Sequence, residues 1–158
     1  MQNILVTGGL GFIGSNLIEL LLAKKFRVIS IDKVSYSSNF YNTKSFKKNK
    51  NYKFFKCDLN NHKKLNYILI KYKPMGIFNL AAETHVDRSI DNPGDFINSN
   101  ILGVYNLLEC FKKYVAKNKK SRLIHISTDE VFGDILKGRS NEKFQYKPSS
   151  PYSASKAS

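Results

Sequence analysis

The most constraining feature of this sequence lies in its first two dozen residues. Ile4-Leu5-Val6-Thr7 is a short apolar, β-branched run that stops at a cluster of glycines, and it reads as a buried strand. Gly8-Gly9-Leu10-Gly11-Phe12-Ile13-Gly14 follows at once. From Phe12 to Lys24 the pattern turns helical, with Phe12, Ile13, Leu17, Leu20 and Leu21 on or near one face. The turn contains Gly9-x-Gly11-x-x-Gly14 and the shifted spacing Gly8-x-x-Gly11-x-x-Gly14. One glycine permits the tight turn, one lets backbone approach a pyrophosphate, and one lets the helix pack close on the strand. The helix N-terminus adds free N–H groups and a positive dipole end.

The rest of the chain keeps this rhythm. Strands are expected at 27–31, 52–56, 76–80 and 122–127, and helices at 61–71 and 95–117. In the longer of the two Phe96, Ile97, Ile101, Val104, Tyr105, Leu108, Phe111 and Val115 recur at threes and fours. Residues 33–50 read as a long basic loop with at most a short helix, and 128–150 as a polar loop. Pro151 suits the first residue of a final helix. Alternating strands and helices imply right-handed βαβ crossovers, an α/β fold, and a doubly wound parallel sheet. Asp32 closes the second strand at the offset expected of a ribose-binding carboxylate. An acid there favours NAD over NADP, and Lys33 beside it softens that preference.

Composition excludes more than it selects. The 158 residues carry 26 Lys+Arg against 12 Asp+Glu, a net charge of +14. That surplus invites a nucleic-acid reading. Nearly all of it is lysine, however, and no recognition motif accompanies it, so no nucleic-acid partner is expected. The lysine-rich stretches 44–56 and 112–120 read as solvated faces. No apolar run is long enough for a membrane span, and the N-terminus lacks a signal-peptide pattern. Cys57 and Cys110 have no metal-ligand spacing and read as free thiols of a reducing cytoplasm; no metal is expected.

In an open α/β sheet, ligands sit at the carboxyl ends of the strands. Three clusters fall there: Leu80 to Asp87, Ser127 to Glu130, and Pro151 to Lys156. Tyr152 and Lys156 are four apart and share a helix face. An ammonium near a phenol lowers the phenol pKa, which makes a general base for an alcohol being oxidised. Thr128 is placed to bond the same hydroxyl. Asp129 and Glu130 either divide acid and base roles or cap a solvated turn. His85 is either a ligand contact or a polar loop residue, and spacing does not choose between them.

Several stretches together resemble the N-terminal part of the dTDP-glucose 4,6-dehydratases, a family of extended short-chain dehydrogenases/reductases. They are Thr7 to Gly14, Asp32-Lys33, Cys57-Asp58-Leu59, Leu80 to Ile90, Ile126 to Gly133 and Ser149 to Ser158. Ala81-Ala82-Glu83-Thr84-His85-Val86-Asp87-Arg88-Ser89-Ile90 and Ile126 to Gly133 are the most specific of them. The resemblance implies a Rossmann domain over 1–158, cut where the Tyr-x-x-x-Lys helix begins and lacking the substrate domain. It implies an NAD site lined by Gly8, Gly11, Phe12, Ile13, Gly14, Asp32, Lys33, Ser35, Asp58, Leu59, Leu80, Ala81, Ala82, Thr84, Ser99, Tyr152 and Lys156. It implies that Thr84, His85 and Thr128 meet a nucleotide-sugar substrate such as dTDP-glucose. Tyr152, with Lys156 and Thr128, would deprotonate the sugar 4-hydroxyl. Glu130 would take the C5 proton and Asp129 would protonate the departing 6-hydroxyl. The acid pair separates dehydratases from epimerases of the same superfamily. Family members continue well beyond this chain and pair as homodimers, so the chain is expected to be an inactive fragment. The alternatives are another sugar-nucleotide dehydratase or epimerase, or a non-catalytic NAD-binding module.

Overall fold

A computed structural model describes residues 1–158. Contacts divide the chain into two compact units. The first comprises residues 1–81 and 105–126, and the second residues 82–104 and 127–158.

The first unit is built on five parallel strands: β1 (Asn3–Thr7), β2 (Arg27–Asp32), β3 (Tyr52–Lys56), β4 (Gly76–Asn79) and β5 (Arg122–His125). Their order is β3-β2-β1-β4-β5, so the chain reverses direction across the sheet after β3. That is the doubly wound order of a Rossmann fold, as expected. β1 is central, pairing Leu5 with Ile29 on one side and with Ile77 on the other. Side chains alternate across it, so each sheet face has its own core. Ile4, Val6 and Val28 pack with Ile18, Leu21 and Leu22 of helix α1 (Phe12–Ala23). Leu5, Ile29, Ile31 and Ile77 pack with Leu65, Ile68 and Leu69 of α2 (His62–Tyr72), and with Leu107, Cys110 and Tyr114. The last three belong to α5 (Gly103–Val115).

In two helices the face turned to the sheet is only partly the one the apolar spacing picks out. In α1 the buried residues are Gly14, Ser15, Ile18, Leu21 and Leu22, whereas Phe12, Ile13 and Leu20 are exposed. Small residues at the start of the helix bring it close to the sheet and leave the large ones outside. In α5 the sheet receives Leu107, Cys110 and Tyr114, while Tyr105 and Leu108 are exposed. That helix is apolar on two sides: Phe111 of the sequence stripe packs against the core, whereas Tyr105 and Leu108 do not.

The expected helix 95–117 is built from three geometries. A short α4 (Pro93–Phe96) leads into a π-helical stretch, Ile97–Leu102, and then into α5. A π turn inserts a residue into the helical path and turns every later side chain by about 100°. In the second unit, α3 (Val86–Asp91) precedes α4, a helix not anticipated from sequence. Asp129–Phe132 forms a single 3-10 turn within the expected loop. The last helix, α6 (Pro151–Ala157), starts with Pro151 at its first position. Its capping box is reciprocal: Ser150 Oγ accepts from the Ser153 N–H, and Ser153 Oγ accepts from the Ser150 N–H. Strand β5 ends at His125, two residues short of expectation. Residues 33–50 are loop apart from a 3-10 turn at Phe40–Thr43, and the lysines of 44–56 are all exposed.

Candidate functional site

In the first unit the glycine turn is shaped by steric demands that only glycine meets. Gly8 has φ +66°, and a Cβ on it would stand 2.8 Å from the Ala81 nitrogen. A Cβ on Gly14 would stand 2.2 Å from the Gly8 carbonyl oxygen. The Gly11 N–H donates to the Gly8 carbonyl at 3.1 Å, which closes the turn. The first N–H groups of α1 then have no carbonyl ahead of them. Phe12 and Ile13 flank this opening with exposed side chains.

Asp32 is buried at the carboxyl end of β2. Its Oδ2 accepts from the Leu10 N–H at 3.0 Å, tying it to the glycine turn. Its Oδ1 accepts from the Val34 N–H at 2.8 Å and from the Ser38 hydroxyl at 2.7 Å. Val34 has φ +63°, a costly conformation for a β-branched residue, and the bond to Asp32 helps hold it. Ser35 and Lys33 lie half-buried in the same loop. Asp58 is exposed after β3, whereas the Leu59 side chain belongs to the core, so only its main chain is available to a ligand. Leu80 and Ala81 are half-buried, and both of their N–H groups donate to Thr7 Oγ1. Free N–H groups at a helix start, close backbone approach and a carboxylate at the end of the second strand suit the phosphates and ribose of a dinucleotide.

The second unit gathers the residues singled out for chemistry. Tyr152 is buried in α6 with its ring edge-on to Phe96, centroids 6.3 Å apart. Thr128 is the N-cap of the 3-10 turn, accepting from the Glu130 N–H at 3.4 Å. Asp129 and Glu130 are both exposed. The Tyr152 phenol is pushed above its ordinary pKa, first by burial, with the charges of Glu130 and Asp129 adding to it. A hydrogen bond with Thr128 works the other way. Thr128, Asp129, Glu130 and Tyr152 are therefore neighbours. The expected lowering of the phenol by Lys156 is not seen. Burial instead makes Lys156 easier to deprotonate, so its ammonium is itself disfavoured. Ala82 and Ser99 are half-buried in this unit, and Thr84 and His85 are exposed. His85 is the N-cap of α3 without a side-chain capping bond.

Sequence reasoning passed over Asn100. It lies in the π stretch, is buried, and grips the Glu83 main chain from both sides. Its Nδ2 also donates to Ser155 Oγ at 2.9 Å, and Ser155 Oγ in turn donates to the Tyr152 carbonyl at 2.7 Å. No side-chain pattern in the sequence marked it, because the groups it grips at Glu83 are main-chain ones.

These features define a Rossmann-type α/β domain of the kind found in nucleotide-sugar dehydratases and epimerases. The chain matches the GDP-mannose 4,6 dehydratase family over residues 5–158, and it belongs to that family. The dTDP-glucose 4,6-dehydratase of Haemophilus influenzae is 46% identical over 99% of this chain and 49% of its own length. The Escherichia coli enzyme of that name is 42% identical, over 99% and 48%. DesIV, a dTDP-glucose 4,6-dehydratase from Streptomyces venezuelae solved with NAD and TYD bound, is 36% identical with a TM-score of 0.90. That match covers 99% of this chain and 48% of DesIV. The UDP-glucose 4-epimerase of Thermus thermophilus, solved with NAD, is 32% identical with a TM-score of 0.86, over 99% and 48%. The chain thus spans about half the length of the relatives it matches. No helix is long and apolar enough to cross a membrane, and no cluster of side chains could hold a metal ion.

Proposed function

We propose that this chain carries the dinucleotide-binding part and the catalytic-helix start of a sugar-nucleotide 4,6-dehydratase, acting on dTDP-glucose. The observation that carries the reading is the neighbourhood of Tyr152 with Thr128, Asp129 and Glu130. It is supported by relatives named dTDP-glucose 4,6-dehydratase at 46% and 42% identity. The glycine turn and Asp32 fit NAD. When bound, NAD supplies the hydride acceptor at C4 and the hydride donor at C6 of the same turnover.

The chain's residues do the proton work. Tyr152 Oη takes the proton of the sugar 4-hydroxyl, and Thr128 holds that hydroxyl in line. Burial leaves the phenol a stronger base once ionised, so its deprotonation needs a positive charge beside it, and Lys156, one helical turn on, is the residue to couple to that step. Glu130 then removes the C5 proton and Asp129 protonates the departing 6-hydroxyl, which leaves as water; once C6 has its hydride, Glu130 returns its proton to C5, and the product is a 4-keto-6-deoxy sugar. Gly8, Gly11, Phe12, Ile13, Gly14, Lys33, Ser35, Asp58, Leu59, Leu80, Ala81, Ala82, Thr84 and Ser99 contact the cofactor, and Thr84 and His85 contact the substrate. An epimerase shares the fold, and the acid pair at 129–130 is what favours the dehydratase.

The test joins this chain to the second half of the Haemophilus influenzae relative. The chimera should form the 4-keto-6-deoxy product from dTDP-glucose. Glu130→Gln in it should stop dehydration yet still reduce NAD+, seen as standing NADH absorbance. Loss of that reduction instead would rule out Glu130 as the base for the C5 proton. The 158-residue chain alone should bind NAD+ weakly at best and show no turnover of dTDP-glucose.

A further inference from the structure

A line of polar groups crosses three strands of the first unit, from two buried side chains out to the exposed His125 on the edge strand. Thr7 at the end of β1, Asn79 at the end of β4 and His125 at the end of β5 are joined side chain to side chain. Thr7 and Asn79 are almost wholly buried. Thr7 Oγ1 accepts from the Leu80 N–H at 3.1 Å and from the Ala81 N–H at 3.0 Å. Both of its lone pairs are then used, so its single proton must be donated. The acceptor is Asn79 Oδ1, at 2.6 Å.

This settles the rest of the line. With Oδ1 turned to Thr7, the Asn79 amide turns Nδ2 to His125 Nδ1, at 2.9 Å. An amide nitrogen can only donate, so Nδ1 must carry a lone pair. A flipped amide would give Thr7 a third donor and strand its hydroxyl proton in the core. We propose that His125 is a positioning residue, held as the neutral Nε2–H tautomer at the end of a one-way hydrogen-bond relay that runs from the Leu80 and Ala81 N–H groups through Thr7 and Asn79. The relay fixes the backbone against which the left-handed Gly8 is packed, a Cβ there falling 2.8 Å from the Ala81 nitrogen. Its consequence for cofactor binding rests on the dinucleotide reading; the relay itself does not.

The experiment labels histidine with 15N and records long-range proton–nitrogen correlations on the full chain in mildly alkaline buffer. There are three histidines, and His125→Gln identifies the signal of interest by its loss. The Nε2–H pattern is expected, and an Nδ1–H pattern or two protonated nitrogens overturns the proposal. Asn79→Asp replaces the donor facing His125 with a second acceptor while still taking the Thr7 proton. In that variant the imidazole proton should move to Nδ1, and an unchanged tautomer overturns the proposal. Amide exchange reads the positioning role without any ligand. His125→Phe should speed exchange at Leu80 and Ala81 on the order of ten-fold, with Leu65, Ile68 and Leu69 unchanged. His125→Gln keeps an acceptor and should restore part of the protection. Unchanged exchange at 80 and 81 in the phenylalanine variant overturns the role. A parallel NAD+ titration of the chimera separates the two ideas, because absent binding there refutes the dinucleotide reading and leaves the spectra to judge the relay.

Discussion

The carboxamide of Asn100 reproduces a strand pairing with Glu83: its Oδ1 accepts from the Glu83 N–H at 2.8 Å and its Nδ2 donates to the Glu83 carbonyl at 2.9 Å. A side chain thereby satisfies a main-chain segment that belongs to no sheet. The same Nδ2 reaches Ser155, one residue before Lys156. Asn100→Ala leaves these buried groups unpaired and should cost about 2–4 kcal/mol, read from the urea midpoint. Asn100→Asp should be worse at neutral pH, because a carboxylate oxygen would face the Glu83 carbonyl. A change within ~0.5 kcal/mol for both variants would show that solvent replaces the clamp.

Two glycines make a paired test of the turn. Gly138 has φ +84° with nothing within 4 Å of an added Cβ, so Gly138→Ala meets conformational strain alone, about 1–2 kcal/mol. Gly14→Ala drives a methyl to 2.2 Å from the Gly8 carbonyl oxygen, a backbone atom that cannot swing aside. It should destabilise well beyond Gly138→Ala in thermal melts. Equal losses would mean that the turn relaxes freely.

Stability should fall above about pH 9, where thiols and phenols begin to titrate. Burial raises the pKa of Tyr52, Tyr114, Tyr152, Cys57 and Cys110 in the folded chain. Their contribution is complete below the unfolded-state pKa values and is lost as pH climbs through the folded ones, because there the unfolded chain binds fewer protons. Lys156 acts in the opposite sense. Its folded pKa is lowered, so its penalty is relieved as pH rises toward the unfolded lysine value. Five acidic groups should outweigh one ammonium. Urea midpoints at pH 7.5, 9 and 10.5 test this, and a flat or rising series would contradict it.

Both cysteines lie in the core on the α2 and α5 side of the sheet, each with a thiol that burial makes hard to ionise. Neither should react with a disulfide reagent in the native chain on the timescale of minutes, and both should react in urea. Rapid modification of one thiol without denaturant would reveal local opening near Cys57 or Cys110.

Much of the sheet could be read from local pattern, because β1, β2 and β3 are short runs rich in apolar residues that stop at glycine, aspartate or lysine, and β4 is a short apolar run after Gly76. The glycine turn was legible for a similar reason: the steric demands at Gly8 and Gly14 admit no other residue. The faces of α1 and α5 were not. Periodicity finds the largest apolar stripe, whereas the sheet accepts the residues that allow close approach, such as Gly14 and Ser15. Asn100 was hidden because its partners are main-chain groups, which leave no pattern in side-chain chemistry. The direction of the Tyr152 shift was hidden as well. The spacing to Lys156 was visible, but burial of both groups and the charges at 129 and 130 depend on how the chain is folded.

The central place of β1 governs the order in which this chain can assemble. Every strand pairing in the sheet is parallel, so no hairpin offers a quick local start. β1 meets β2 across a helix, but its other neighbour, β4, lies more than 70 residues ahead in the chain. Thr7 and Gly8 reach their final contacts only when residues 79–81 arrive. A ribosome delivering this sequence from its first residue would release the glycine turn early and unfinished, and the nascent chain would carry it open until about half of the 158 residues had emerged.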